Sequence, residues 1–381
     1  MQEQGWIFPF CPQPDAWSVD WDHFYTHYSW LRAMEGVQQS PIYHAEGDVC
    51  IHTRMVAEAM TALPGWRALP AEERSLLFLA ALLHDVAKPA CTRVEPDGQI
   101  TSKGHARKGE QMTRTILLDG SELDPVPLEQ REYIARLVRF HGLPLHFWDR
   151  EPPERRIIEA SQNIRMDHLA LLAEADVRGR TCTDKQDLLE RIDLFRAFCQ
   201  ECQCYQSPFS FTTSYSRFVY FHSMQADPHY AAYDDTTFEV ILLSGLPGAG
   251  KDTWIRTHLS DLPLISLDQI RSRLKIGPEE KQGKVVQDAR EQARVLLRQH
   301  RSFVWNATNV TRTLRQQLIN LFVSYGARVR LIYLEVPLSE LLQRNAKRDA
   351  RIPEAVLYRL INKLEVPDST EAHSVEWYTN I

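Results

Sequence analysis

Two rhythms of apolar and polar positions divide this chain. Through residues 1–205 apolar side chains recur three and four apart, as at Leu76, Leu79, Ala80 and Leu83, which is the period of a helix. That spacing predicts helices over 48–63, 71–86, 105–118, 127–140, 154–178 and 183–204. Lys88-Pro89 closes the second of them, and Pro96-Asp97-Gly98 supplies the turn of a hairpin between Cys91 and Ser102. From 206 to 235 the period dissolves into Ser, Thr, Tyr and Phe, a connection whose aromatics are expected to pack. Beyond it, short apolar runs over 238–244, 262–267, 303–307 and 329–334 alternate with helical segments. Such alternation builds a parallel sheet with helices on its faces. The expected architecture is therefore an all-α N-terminal domain with a small hairpin (1–205), a connecting segment (206–235) and an α/β C-terminal domain (236–381).

Composition narrows the class. A length of 381 residues exceeds one ordinary core and fits two domains. With 44% hydrophobic and 25% charged residues, apolar runs too short to span a bilayer and no signal-peptide shape at Met1-Gln2-Glu3-Gln4-Gly5, a cytoplasmic protein with no membrane partner is expected. The seven cysteines, odd in number and irregularly spaced, fit reduced thiols, and Cys199, Cys202 and Cys204 lack a partner pair at zinc-finger distance. A net charge of −6 excludes indiscriminate coating of nucleic acid and leaves room for a local basic groove.

The most specific chemical signal runs from Ile241 to Thr253. An apolar strand feeds a turn containing Gly245, Gly248 and Gly250, and a helix-compatible segment follows. Backbone N–H groups of such a turn surround a nucleotide's phosphates, with Lys251 reaching the β/γ oxygens, so ATP or another nucleoside triphosphate with Mg2+ is the expected cofactor. One position departs from the pattern: Asp252 stands where Ser or Thr normally gives its hydroxyl to magnesium. Either Asp252 holds the metal, or it caps the helix and Thr253 supplies the hydroxyl. The third strand ends in Trp305-Asn306-Ala307-Thr308-Asn309 rather than in an aspartate that could order an attacking water, which argues against a motor ATPase. After the second strand, Asp268 and Arg271 lie one helical turn apart at the sheet edge where ligands gather. Asp268 can accept the proton of an acceptor hydroxyl, and Arg271 can hold the acceptor's phosphate. Arg344, Arg348 and Arg351 concentrate positive charge after the fourth strand, in the place of a kinase lid.

A second signal lies in the helical half. His84-Asp85 ends a strongly apolar helix, and such a pair is costly to bury unless a divalent cation satisfies it. His52 lies on the preceding helix, and Asp176 closes the apolar stretch 169–175. Lys88 follows the His-Asp pair by one helical turn and can bind a substrate phosphate, as can Arg178 and Arg180. His146 and His168 read as ordinary polar residues.

Four residues in this order, His52, His84, Asp85 and Asp176, resemble the ligand set of the HD phosphohydrolase superfamily over about residues 40–180. The run His44-Ala45-Glu46-Gly47-Asp48-Val49-Cys50-Ile51-His52 is especially similar to the HD segment of certain tRNA nucleotidyltransferases. The resemblance implies a transition metal such as Mn2+, Ni2+, Co2+ or Zn2+, one ion or two, with His105 and His141 in the place of extra ligands. A metal-held water would then attack a phosphomonoester or phosphodiester. The phosphate loop, the Asp268-x-x-Arg271 pair, Asn306 to Asn309 and the arginine-rich run resemble polynucleotide 5′-hydroxyl kinases over about residues 237–365. That likeness implies Asp268 as general base, Arg271 as acceptor-phosphate contact, and Arg344, Arg348 or Arg351 as lid cation. The two together resemble the bacterial HD–polynucleotide kinase end-healing family, N-terminal HD phosphoesterase before P-loop kinase. This implies RNA or DNA ends and a nucleoside triphosphate as partners, working alongside a nucleic-acid ligase. A metabolic nucleotidase fused to a nucleoside kinase and a nucleotide-sensing module are the competing expectations.

Overall fold

The computed structural model describes residues 5–149, 152–223, 227–277, 280–347 and 351–379. The chain separates into two compact units, Met1–Ser210 and Phe211–Ile381.

The first unit is helical. Asp48 caps the helix Val49–Ala62 by accepting from the Ile51 amide at 2.9 Å, a contact worth about 1 kcal/mol. The helix Ala71–Leu83 is buried along its whole second half, and it packs against Val49–Ala62, Leu128–Phe140 and Met166–Arg178. An all-round apolar helix can exist only as the centre of such a bundle. It ends at Leu83, three residues before the expected limit, and His84 to Ala87 follow as a turn. The hairpin forms from β1 (Arg93–Val94) and β2 (Ile100–Thr101), with Arg93 opposite Thr101 and the Gly98 amide donating to Glu95. The helix expected over 154–178 is instead two, Pro153–Ser161 and Met166–Arg178. Between them the Asn163 side chain donates to the Glu159 carbonyl, competing with the helical ladder.

The second unit is a parallel sheet of β3 (Phe238–Ser244), β4 (Leu264–Ser266), β5 (Phe303–Asn306), β6 (Ala327–Glu335) and β7 (Ser374–Thr379). Their order is β4-β5-β3-β6-β7, so β3 is central and Ile241 lies opposite Val304 on one side and Arg330 on the other. The edge strand β7 has no counterpart in the sequence reading, because Ser-Val-Glu-Trp-Tyr-Thr is only half-buried and carries no apolar run. β4 is shorter than expected: Ser266, at its end, caps the helix Leu267–Leu274, so Asp268 sits in that helix's first turn. The stretch 206–235 contains a further helix, Ser214–His222, capped by Thr213. Its Phe218 joins the sheet core and stacks on His373 with ring centroids 3.7 Å apart.

Candidate functional site

Helix ends deliver a cluster of imidazoles to one point of the first unit. His84 and His141 cap the C-termini of Ala71–Leu83 and Leu128–Phe140, and His105 opens the helix His105–Asp119. Each directs Nδ1 at a backbone carbonyl three residues back: His84 at Ala81, His105 at Ser102, His141 at Val138, all at 2.8 Å. A carbonyl only accepts, so these Nδ1 atoms carry the protons and the Nε2 atoms present lone pairs. His52 is oriented the same way, its Nδ1 2.9 Å from the Glu46 carboxylate, an ion-pair distance without hydrogen-bond alignment.

Those lone pairs face one another. His84 Nε2 is 3.4 Å from His52 Nε2, and His105 Nε2 is 3.3 Å from His141 Nε2. Asp85 lies between the pairs. Its Oδ2 is 3.1 Å from His84 Nε2 and 3.8 Å from His52 Nε2, while Oδ1 is 3.5 Å from His105 Nε2. Asp176 Oδ1 is 3.1 Å from His52 Nε2. Acceptor opposite acceptor in a buried space is unfavourable, and Asp85 Oδ1 is buried without a hydrogen-bond partner. This donor set fits a cation: His52, His84 and Asp85 form one compact group and Asp85, His105 and His141 a second, with Asp176 beside the first. His44, Glu46 and His52 also lie close together, but there both imidazoles turn Nδ1 to the carboxylate, which fits an orienting contact rather than a ligand set.

Fixed charges hold the carboxylates. Arg180 grips Asp176 with two bonds, of 3.0 and 2.6 Å. Lys88 Nζ lies 2.7 Å from Asp85 Oδ2 and donates to Gln39 at 2.6 Å. Burial alone would raise both carboxyls; Lys88 and the imidazoles beside Asp85, and Arg180 beside Asp176, hold them well below the usual range. Burial pushes His141 down to about 3, and it stays neutral. A cavity of about 570 Å³ opens alongside, lined by His44, Lys88, Ser102, His146, Arg180 and Arg191. Arg178 turns instead to Glu174, and His168 bridges Tyr133 and Glu73 within the bundle.

In the second unit the glycine-rich turn leaves the C-terminal end of β3. Gly245 has φ +149°, and a Cβ there would meet the Leu334 carbonyl at 2.5 Å, so no other residue fits. Asn309 braces the turn from behind by donating to the Leu243 carbonyl at 2.8 Å, while the Gly245 amide donates to Thr308. A cavity of about 840 Å³ opens in front, lined by residues that include Gly248, Gly250, Lys251, Asp252 and Thr253 on one side and Asp268, Arg271 and Lys275 on the other.

Residues 49–171 match the family model described as HD domain, and residues 240–367 match the one described as AAA domain. The chain joins an HD domain to a P-loop kinase-like domain. An L-seryl-tRNA(Sec) kinase from Methanococcus maripaludis is 25% identical over 140 residues, 35% of this chain and 55% of its own length. The chain thus spans about half the length of the curated relative it matches. Among solved structures, a kinase-like protein from Chloroflexus aurantiacus is similar at 17% identity and TM-score 0.33, covering 38% of this chain and 89% of its own. A sugar kinase from a Janibacter species is similar at 18% identity and TM-score 0.31, covering 38% and 86%.

In the kinase domain Lys251, Arg271, Arg344 and Arg351 are engaged with the protein itself. Lys251 Nζ donates to the Gly245 and Leu246 carbonyls at 2.8 and 2.9 Å, and Arg271 pairs with Asp268. Arg344 pairs with Glu340, reaches the Gly248 carbonyl at 3.4 Å and lines the cavity. Arg351 pairs with Glu354, and Arg348 lies outside the described residues. A kinase of this fold takes a nucleoside triphosphate with Mg2+, and the HD domain takes a divalent metal. Among the described residues no helix is long and apolar enough to cross a membrane.

Sequence reasoning missed Glu46, Gln39 and Arg191. Glu46 and His44 stand in the very run that resembles other HD segments, but nothing in their spacing says that one carboxylate turns two imidazoles. Lys275 was missed because its left-handed turn, with φ +55°, brings it to the cavity from beyond the helix end.

Proposed function

We propose that this chain heals broken nucleic-acid ends. The HD domain hydrolyses a 2′,3′-cyclic phosphate or a terminal 2′- or 3′-phosphate, and the kinase domain transfers the γ-phosphate of a nucleoside triphosphate to a 5′-hydroxyl. The observation that carries this reading is a complementarity. One polypeptide pairs a cation-fitting cluster beside a cavity bearing Lys88, Arg180 and Arg191 with a phosphate-loop cavity facing Asp268, Arg271 and Lys275.

In the HD domain, a divalent ion supplies an acidic water and takes up charge on a phosphoryl oxygen. His52, His84, Asp85 and Asp176 would hold it, with His105 and His141 beside Asp85. Lys88 and Arg191 offer cations to the substrate's phosphate. Water oxygen bonds to phosphorus as the ribose oxygen leaves and takes a proton. In the kinase domain, the 5′ oxygen bonds to the γ-phosphorus while the bridge to the β-phosphate breaks, and the proton passes to Asp268. For this, Arg271 must leave Asp268, and an arriving acceptor phosphate gives it a new partner. The relative named a seryl-tRNA kinase lends support, since its named acceptor is carried by RNA.

The test is end-product analysis of an RNA bearing a 5′-hydroxyl and a 2′,3′-cyclic phosphate, incubated with ATP, Mg2+ and Mn2+. The expected products carry a 5′-phosphate and an opened or phosphate-free 3′ end. Preference for free nucleosides over the RNA would make the protein a metabolic kinase instead.

A further inference from the structure

The residue after the loop lysine is the one place where this kinase domain breaks its own pattern, and the structure removes one of the two readings open to it. Helix Lys251–His258 begins at Gly250, whose left-handed φ of +91° makes it the cap, and no side chain caps the helix. Asp252, at the second helical position, is exposed to the cavity, and its Oδ1 accepts a bond of 2.6 Å from Asn306 Nδ2. Asp252 is therefore tethered to the end of β5, where a strand-terminal aspartate is missing.

A carboxylate in that position is a liability. The loop exists to gather phosphate oxygens, and a fixed negative charge beside them repels the nucleotide that the helix N-terminus attracts. Among the described residues, the one other carboxylate lining the cavity, Asp268, stands across it and is paired with Arg271. A divalent cation between carboxylate and phosphates reverses the sign of the interaction. We propose that Asp252, oriented by Asn306, holds the cation that accompanies the nucleotide, so that metal and nucleoside triphosphate bind this loop as one unit. The acidic ligand that other P-loop enzymes carry at a strand end has here crossed the Asp252–Asn306 hydrogen bond onto the loop. This rests on the reading that the loop binds a nucleoside triphosphate.

The experiment is calorimetric titration of the full chain with the β,γ-imido analogue of ATP, in Mg2+ and in EDTA, so that no turnover contributes. For the wild type, Mg2+ should strengthen binding within the range of ordinary site coupling, about 5- to 150-fold. Asp252→Asn keeps the shape and can still accept from Asn306. It should cut that coupling about tenfold or more and bind the metal-free analogue more tightly than the wild type does, because the repulsion is gone. Asn306→Ala should weaken the coupling without tightening metal-free binding, since the charge remains. Full coupling retained in Asp252→Asn, or affinity lost equally in Mg2+ and EDTA, would overturn the proposal and leave Asp252 a loop-shaping residue. A wild type that binds the analogue in neither buffer would overturn the kinase reading itself.

Discussion

The HD centre and the kinase cavity solve opposite problems. In the first, the functional atoms are buried and held from outside: each imidazole has its Nδ1 close to a carbonyl or carboxylate, and each aspartate is held by a cation. What is left facing inward is mutual repulsion among lone pairs, which only a cation relieves. In the second, the functional groups stand at an open cavity and engage the protein itself, Lys251 on carbonyls of its own loop, Arg271 on Asp268, Arg344 on Glu340. The HD centre is ready for metal without rearranging; the kinase site must exchange partners whenever substrate arrives. A site built for a permanent small ion can be buried, whereas one that admits two large substrates each turnover cannot.

The sharpest way to break this contrast is to disable each centre in turn. Lys251→Ala should lower 5′-phosphorylation by about 100- to 1,000-fold, the size of losing one positioned cation or donor, while phosphate release from the other end persists. Asp85→Ala should do the reverse and also lower the bound metal, because it touches both halves of the cluster. Concurrent loss of both activities in either variant would show that the centres are not independent.

Stability against pH comes next in size. His373 is fully buried in the kinase domain, where its Nδ1 accepts from the Val329 amide, and burial pushes its pKa down to about 4. Because the folded value is depressed, the unfolded chain protonates first as pH falls. Stability is therefore complete above about pH 6.5 and is lost toward pH 4, on the order of 3 kcal/mol at most. Urea titrations at steps between pH 7.5 and 4.5 should show it, and His373→Gln, which can still accept from Val329, should flatten the slope. An unchanged slope would remove His373 from the account.

A smaller effect is expected one contact away from the HD ligands. Glu46→Gln should weaken metal binding about 10- to 100-fold, the usual scale for an outer partner of a ligating imidazole, without unfolding the bundle. Retention of metal through dialysis at wild-type levels would count against Glu46 as the orienting group of His52. Smallest is the difference between two arginines of the basic run after β6. Arg344, which lines the cavity, should affect kinase rate more than Arg351, which does not line it and pairs with Glu354. Equal rates for Arg344→Ala and Arg351→Ala would undo that ranking.

How much of this could be seen beforehand follows from the range of each interaction. The change of period near residue 206, the phosphate loop and the order His52, His84, Asp85, Asp176 are local or nearly local, and the chain spelled them out. The broken helix at 162–165 escaped because a single asparagine side chain outbid the backbone ladder, which periodicity averages away. β7 escaped because an edge strand is defined by its neighbour β6 rather than by its own apolar content.

By itself, then, the sequence determined two domains, a phosphate-loop pattern and a set of residues whose chemistry fits a cation. Only the tertiary structure decided that His105 and His141 share Asp85 with the first set, that Asp252 leans on Asn306, and which arginine reaches the cavity. The reason is distance along the chain: these contacts join residues 20 to 96 positions apart, so no local pattern encodes them, and only the packing of helix ends and strand ends brings them within bonding range.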